Sequence, residues 1–125
     1  MVTVICNRIE YALSTDVFFS RKNIVQLKEG KSWVRVLPDT QPIYSLTNEK
    51  KDAGKLNTEK LTFSVLSSDS DALKTLSDLN QYLIVRVYVN GGLFIVGDTS
   101  YPVIIAYDDN KSVTNYTLSC QRPIV

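Results

Sequence analysis

The sequence contains no histidine. Histidine is the commonest general base and the commonest metal ligand. Its absence excludes most catalytic triads and most zinc and non-haem iron sites. Cysteine is scarce as well, with only Cys6 and Cys120, near opposite ends of the chain. Two thiols cannot complete a structural zinc site. They would bridge only if the first and last strands were neighbours, and without an export signal reduced, partly buried thiols are expected.

Neither sign of charge dominates. Fourteen basic residues meet 13 acidic ones, for a net charge of +1. Phosphate contacts supply most of the affinity of a nucleic-acid binder, which therefore shows a basic excess or stripe. The densest basic group is Glu49-Lys50-Lys51-Asp52, with Lys55 and Lys60 nearby. Acidic residues interrupt it, so it reads as a solvated loop, and no nucleic-acid specificity is expected. Long apolar runs are missing too. No stretch approaches the roughly 20 residues of a membrane span. Met1 to Asn7 has neither the basic start nor the apolar centre of a signal peptide, so no secretion is expected. The sequon Asn115-Tyr116-Thr117 then carries no meaning, and it lies inside an expected strand.

What is present is alternation. The apolar fraction of 44% over 125 residues is enough for one core. Leu61, Phe63 and Val65 alternate with Thr62 and Ser64, the period of a half-buried strand. Ser68 followed by Asp71 marks a helix start. Ala72, Leu73, Leu76 and Leu79 then fall on one helical face, and Asn80 suits a helix end. Tyr82 to Val89 is a strand, and Asn90-Gly91-Gly92 tolerates positive φ at both central positions of a tight turn. The return strand is Leu93 to Val96. Pro102 opens Val103 to Tyr107, Asp108-Asp109-Asn110 reads as a turn, and Val113 to Cys120 alternates again.

The first half is less regular. Val2 to Cys6 suits an edge strand, and Glu10 to Ser20 fits either helix or strand. Asn23 to Leu27 and Trp33 to Leu37 read as strands joined in a hairpin around Gly30. Ile43 to Leu46 is extended. Thr47 to Glu59 is the most polar segment and reads as a long loop. The expected fold is mainly β: a small antiparallel β-sandwich or barrel with one short α-helix at about residues 70–79. Residues 1–125 form a single β-rich domain with a long polar loop at about 47–59.

Chemical motifs fail on context. Asp69-Ser70-Asp71 lacks the glycine and closing glutamate of a calcium loop. Asp108-Asp109 reads as solvated turn carboxylates. Neither Asn90-Gly91-Gly92 nor Gly97-Asp98-Thr99-Ser100 has the strand-to-helix setting of a phosphate loop. Cys120 has no neighbouring base. No catalytic residue, metal ligand or cofactor is expected. Seven tyrosines are spread over the strands, and Tyr82 and Tyr88 share the less apolar face of one of them. Tyr and Trp serve protein interfaces and ordinary sheet surfaces alike.

One layout goes beyond composition. Lys60-Leu-Thr-Phe-Ser-Val65, a helix, and Tyr82-Leu-Ile-Val-Arg-Val-Tyr-Val-Asn-Gly-Gly-Leu-Phe-Ile-Val-Gly97 with Pro102 beyond it resemble small tail-region structural proteins of tailed bacteriophages and prophages. Leu27-Lys-Glu-Gly-Lys-Ser-Trp33 is similar to their Gly-Lys-x-Trp segment. The resemblance implies a non-catalytic assembly role in the tail or at the head–tail junction. Its partners would be further copies of the chain in a ring and other tail or neck proteins. The location would be the virion tail, or the cytoplasm if no phage encodes it. In a ring the polar loop is expected to order against the next copy. Trp33, Asn48, Lys50, Lys51, Lys55, Tyr82 and Tyr88 are the candidate assembly contacts. The alternatives are a monomeric binding module with an aromatic sheet face and a histidine-free enzyme, for which no motif argues.

Overall fold

In the computed structural model, residues 2–21, 24–51, 54–66, 72–109 and 112–123 are described. Seven strands come first: β1 (Val2–Ile5), β2 (Arg8–Leu13), β3 (Val17–Arg21), β4 (Ile24–Leu27), β5 (Val34–Arg35), β6 (Ile43–Lys51) and β7 (Gly54–Leu66). Helix α1 (Ala72–Asp78) separates them from β8 (Leu83–Val89), β9 (Gly92–Val96), β10 (Ile104–Asp109) and β11 (Val113–Pro123). All pairings are antiparallel. They form a five-stranded sheet in the order β1-β6-β7-β11-β10, a four-stranded sheet β5-β2-β8-β9 and a two-stranded ribbon β3-β4. This is the mainly-β, antiparallel sandwich with one short helix that the alternation predicts.

Alternation explains the core directly. Side chains two residues apart share a face, so Leu61, Phe63 and Val65 of β7 and Tyr116, Leu118 and Cys120 of β11 enter the space between the sheets. Ile9 and Tyr11 of β2 and Leu83, Val85 and Val87 of β8 meet them from the other side. Each fully buried Leu or Val contributes about 1.5–3 kcal/mol relative to exposure. Phe63 and Tyr116 are register partners, and their rings stack with centroids 5.5 Å apart. Tyr44 meets Phe94 across the sheets, edge to face at 4.8 Å.

Helix α1 buries Leu73 in this core and half-buries Leu76. It ends where Asn80 takes φ 54°, the left-handed geometry expected of it. The helix-start signal Ser68 to Asp71 lies outside the described residues. Glu10 to Ser20, ambiguous in the sequence, is two strands bent by a 3-10 turn at Ser14–Asp16. That bend takes the chain from the four-stranded sheet into the ribbon.

Five expectations need correction. The polar loop at about 47–59 is instead the continuous antiparallel ladder of β6 and β7, from Thr47↔Thr58 to Lys51↔Gly54. Backbone pairing does not require apolar side chains, so polar composition hid it. No hairpin forms around Gly30: β4 pairs with β3, and β5 pairs with β2. Trp33 to Leu37 shrinks to the two-residue β5. In the β8–β9 turn only Gly91 has positive φ, at 92°, while Asn90 does not. Asp108 and Asp109 belong to β10, opposite Asn115 and Thr114, rather than to a turn.

Candidate interaction surface

The two sheets have contrasting outer faces. On the four-stranded sheet, Ile84 and Ile95 point away from the main core and are still buried, with Val17. Val25 and Leu27 of the ribbon, together with Trp33, pack over them. Beside this roof, Arg86 donates to Glu10 Oε1 from Nε at 2.8 Å and from Nη2 at 2.6 Å. The Arg86 guanidinium lies 4.4 Å from the Trp33 ring centre, and that of Arg8 lies 4.0 Å from Tyr88. Burial by itself would raise the Glu10 pKa, but hydrogen bonds from Arg86 and Tyr88 and the charges of Arg86 and Arg8 outweigh it and hold the carboxyl below its ordinary range. Trp33 and Tyr88 are thus engaged by arginines of their own chain.

The outer face of the five-stranded sheet has no such roof among the described residues. Ile5, Ile43, Thr62, Thr117 and Ala106 stand in register across all five strands. The next row is Thr3, Ser45, Lys60, Ser119 and Ile104. Ile5 is 59% exposed, Ile104 55% and Ile43 43%. The loop before β6 covers one corner only. There the Asp39 N–H donates to the Ser64 carbonyl, and the Ser64 N–H donates to Thr40 Oγ1.

Along this face runs a groove of about 460 Å³, lined by Thr58, Lys60, Ile104, Ser119 and Gln121 from the sheet and by Tyr82, Ser100, Tyr101 and Pro102 beside it. Tyr82 and Tyr101 are both exposed. The turn carrying Tyr101 is held from behind. Gly97 has φ +84°, and a Cβ there would sit 2.8 Å from Val103 Cγ2. Asp98 Oδ1 accepts the N–H groups of Ser100 (2.8 Å) and Tyr101 (2.7 Å). The Cys120 thiol donates to the Tyr101 carbonyl at 3.1 Å.

Arg122 ties this turn to the interior. It lies 3.5 Å from Asp98 and 2.5 Å from Glu59, whose other oxygen accepts the Tyr44 hydroxyl at 2.8 Å. Glu59 is 5% exposed. Burial, followed by the bond to Glu59, pushes the Tyr44 hydroxyl pKa up, and burial pushes the Cys120 thiol up to about 11. The thiol is therefore protonated at neutral pH and unsuited to nucleophilic attack. Burial opposes the charge on Arg122, but the bond and charge of Glu59 outweigh it and raise its pKa. Glu59 and Arg122 were missed as sites. The signal was their parity: Glu59 falls in step with Leu61, Phe63 and Val65, and Arg122 with Leu118 and Cys120.

The remaining candidates lie on the β6–β7 hairpin. Asn48 is exposed opposite Asn57, and Lys50 and Lys55 are exposed register partners. Lys51 pairs with Gly54 at its tip end. Like charges directly opposite one another are destabilising, so two facing lysines are not there for the hairpin's own stability. The seven candidates therefore do not converge. Trp33 and Tyr88 belong to the roofed sheet, the hairpin carries Asn48 and the three lysines, and Tyr82 lines the groove.

Among the described residues no group of three or more Cys, Asp or Glu side chains could hold a metal ion. No described helix is long and apolar enough to cross a membrane. No protein-family model, curated protein or solved structure matches the chain significantly.

Proposed function

We propose that the chain is a non-catalytic structural subunit that works by assembling with further copies of itself and with other proteins, in the tail region of a tailed phage or prophage. The observation that carries the assembly role is the bare outer face of the five-stranded sheet, where three isoleucines stay exposed although the opposite sheet is roofed by its own chain. Exposed apolar patches with a polar surround mark interaction surfaces. The tail assignment is supported by the resemblance of Lys60–Val65 and Tyr82–Gly97 to such proteins. In this reading no cofactor and no chemical step are involved, and the protein resides in the virion tail.

The test is the mass of the purified protein by light scattering over a concentration series, with negative-stain images of the same fractions. A defined oligomer, ring or tube is expected, and Ile43→Lys should weaken it. A strict monomer that forms no particles and joins no tail or neck protein would overturn the reading. A second reading, a monomeric binding module, is favoured by one observation: the groove flanked by Tyr82 and Tyr101. It predicts a monomer whose partner binding is lost in Tyr101→Ala.

A further inference from the structure

The five-stranded sheet has two edges, and the chain treats them differently. At β10 the helix α1 lies alongside. The Ser77 hydroxyl donates to the Ile105 carbonyl at 3.1 Å, the Tyr107 hydroxyl donates to Asp78 at 2.8 Å, and Lys74 meets Asp109 at 2.9 Å. A helix over an edge is one of the standard ways to prevent strand addition. At β1, no strand pairs with the outer edge, and Val2 to Ile5 make no backbone hydrogen bond outside the ladder with β6, among the described residues. The Cys6 N–H donates to the Pro42 carbonyl at 2.9 Å, which in the unbroken register turns Val2 and Val4 toward β6 and leaves the backbone N–H and C=O groups of Thr3 and Ile5 pointing outward.

β1 is short, at four residues, but carries none of the charged, proline or bulge devices that protect an edge. Its sequence Val2-Thr3-Val4-Ile5 is wholly β-branched, with no lysine, proline, glycine or charge. Its register with β6 is unbroken from Val2↔Leu46 to Ile5↔Ile43, so no bulge turns the edge away. The neighbouring free stretch of β6, by contrast, carries Lys50 and Lys51. Unpaired N–H and C=O groups in a strand edge are satisfied by one kind of partner, another extended backbone. A strand without charge can meet its own copy without repulsion, which the lysine-bearing stretch of β6 cannot.

We infer that β1 is the docking edge for β1 of a second copy, the two strands antiparallel about a two-fold axis normal to the sheet, so that two five-stranded sheets become one. Such an axis keeps each face on its own side. The bare faces of the two copies then form one continuous surface, with Ile5 and Ile43 of both near its centre. Facing residues must also share a face, which sets Thr3 opposite Thr3 or Ile5 of the other copy. An isologous contact closes at two copies, so a ring of this chain would be a ring of pairs joined through another surface.

This inference rests on the reading of the chain as an assembly subunit, but the two fail separately. The experiment is light scattering over a concentration series on wild type, Thr3→Val, Thr3→Lys, Thr3→Glu and an equimolar mixture of the last two, with melting curves to confirm folding. Wild type and Thr3→Val should associate. Either charged variant alone should show a Kd raised about tenfold or more, and the mixture should recover association. If both charged variants associate like wild type, or the mixture of folded variants stays monomeric, the β1 pairing is wrong and the assembly reading stands. A wild type that is monomeric throughout and joins no other tail protein removes both.

Discussion

Ile84 and Ile43 both point away from the main core, one from each sheet, and their fates are opposite. Ile84 is 0% exposed, because the 3-10 turn at Ser14–Asp16 bends β3 and β4 back over the sheet that carries it. Ile43 is 43% exposed, because no described segment returns over its row. The same two-residue periodicity made both positions. What separates them is whether a short piece of chain happens to turn back. The polar neighbours differ accordingly: beside the roof, Arg86, Glu10, Trp33 and Tyr88 satisfy one another, whereas Lys60 on the bare face has no ion partner among the described residues. A face whose groups are already paired belongs to the monomer. A face with exposed isoleucines and hydroxyls, and with Lys60 unpaired among the described residues, is the one the assembly proposal puts at a contact.

The sharpest way to break this contrast is to remove the same atoms from each side. Ile84→Ala should cost about 3–4 kcal/mol in urea denaturation, since it leaves a cavity between sheet and ribbon. Arg122→Ala comes next, at about 3 kcal/mol, because it strands the buried Glu59 carboxylate. The double variant Glu59→Gln/Arg122→Met should recover much of that loss.

Glu10→Gln should cost about 2 kcal/mol at neutral pH, and here pH provides a second check. The Glu10 carboxyl is held below its ordinary value in the folded protein. Its contribution is therefore complete above the unfolded value, about 4.3, and fades as pH falls through the lower folded value. The gap between wild type and Glu10→Gln should close in denaturation curves taken at successively lower pH below about 4. A gap constant with pH would mean that Glu10 packs rather than pairs. Smallest is Ile43→Ala, expected within about 0.5 kcal/mol of wild type in stability, while association measured by light scattering weakens. If Ile43→Ala destabilises the monomer as Ile84→Ala does, the bare face is not bare.

The legible parts of the fold share one property. Strands β7, β8 and β11 alternate strictly because one face is buried, and the sequence must then repeat every second residue. The hidden parts lack that constraint. The hairpin from Thr47 to Thr58 is polar along most of its length, and its ladder is held by backbone groups that no side chain reports. The Gly30 turn was recognised, with φ 79°, yet the strands on either side of it pair elsewhere. Of the candidate contacts, Tyr82 is exposed and lines the groove, while Trp33 and Tyr88 were taken up by Arg86 and Arg8 from strands distant in sequence.

From its residues alone this chain was bound to make alternating antiparallel strands, one short helix ending at Asn80 and a core of aliphatic and aromatic side chains, with no histidine chemistry. Those follow from local periodicity and composition, which act between neighbours along the chain. Only the tertiary structure decided that Glu59 and Arg122 meet, that among the described residues β10 is covered by α1 while the outer edge of β1 has no partner strand, and that one sheet face is roofed while isoleucines of the other stay exposed. Each depends on which strands lie side by side, and pairing between distant segments is set by the packing of the whole molecule rather than by any stretch of it.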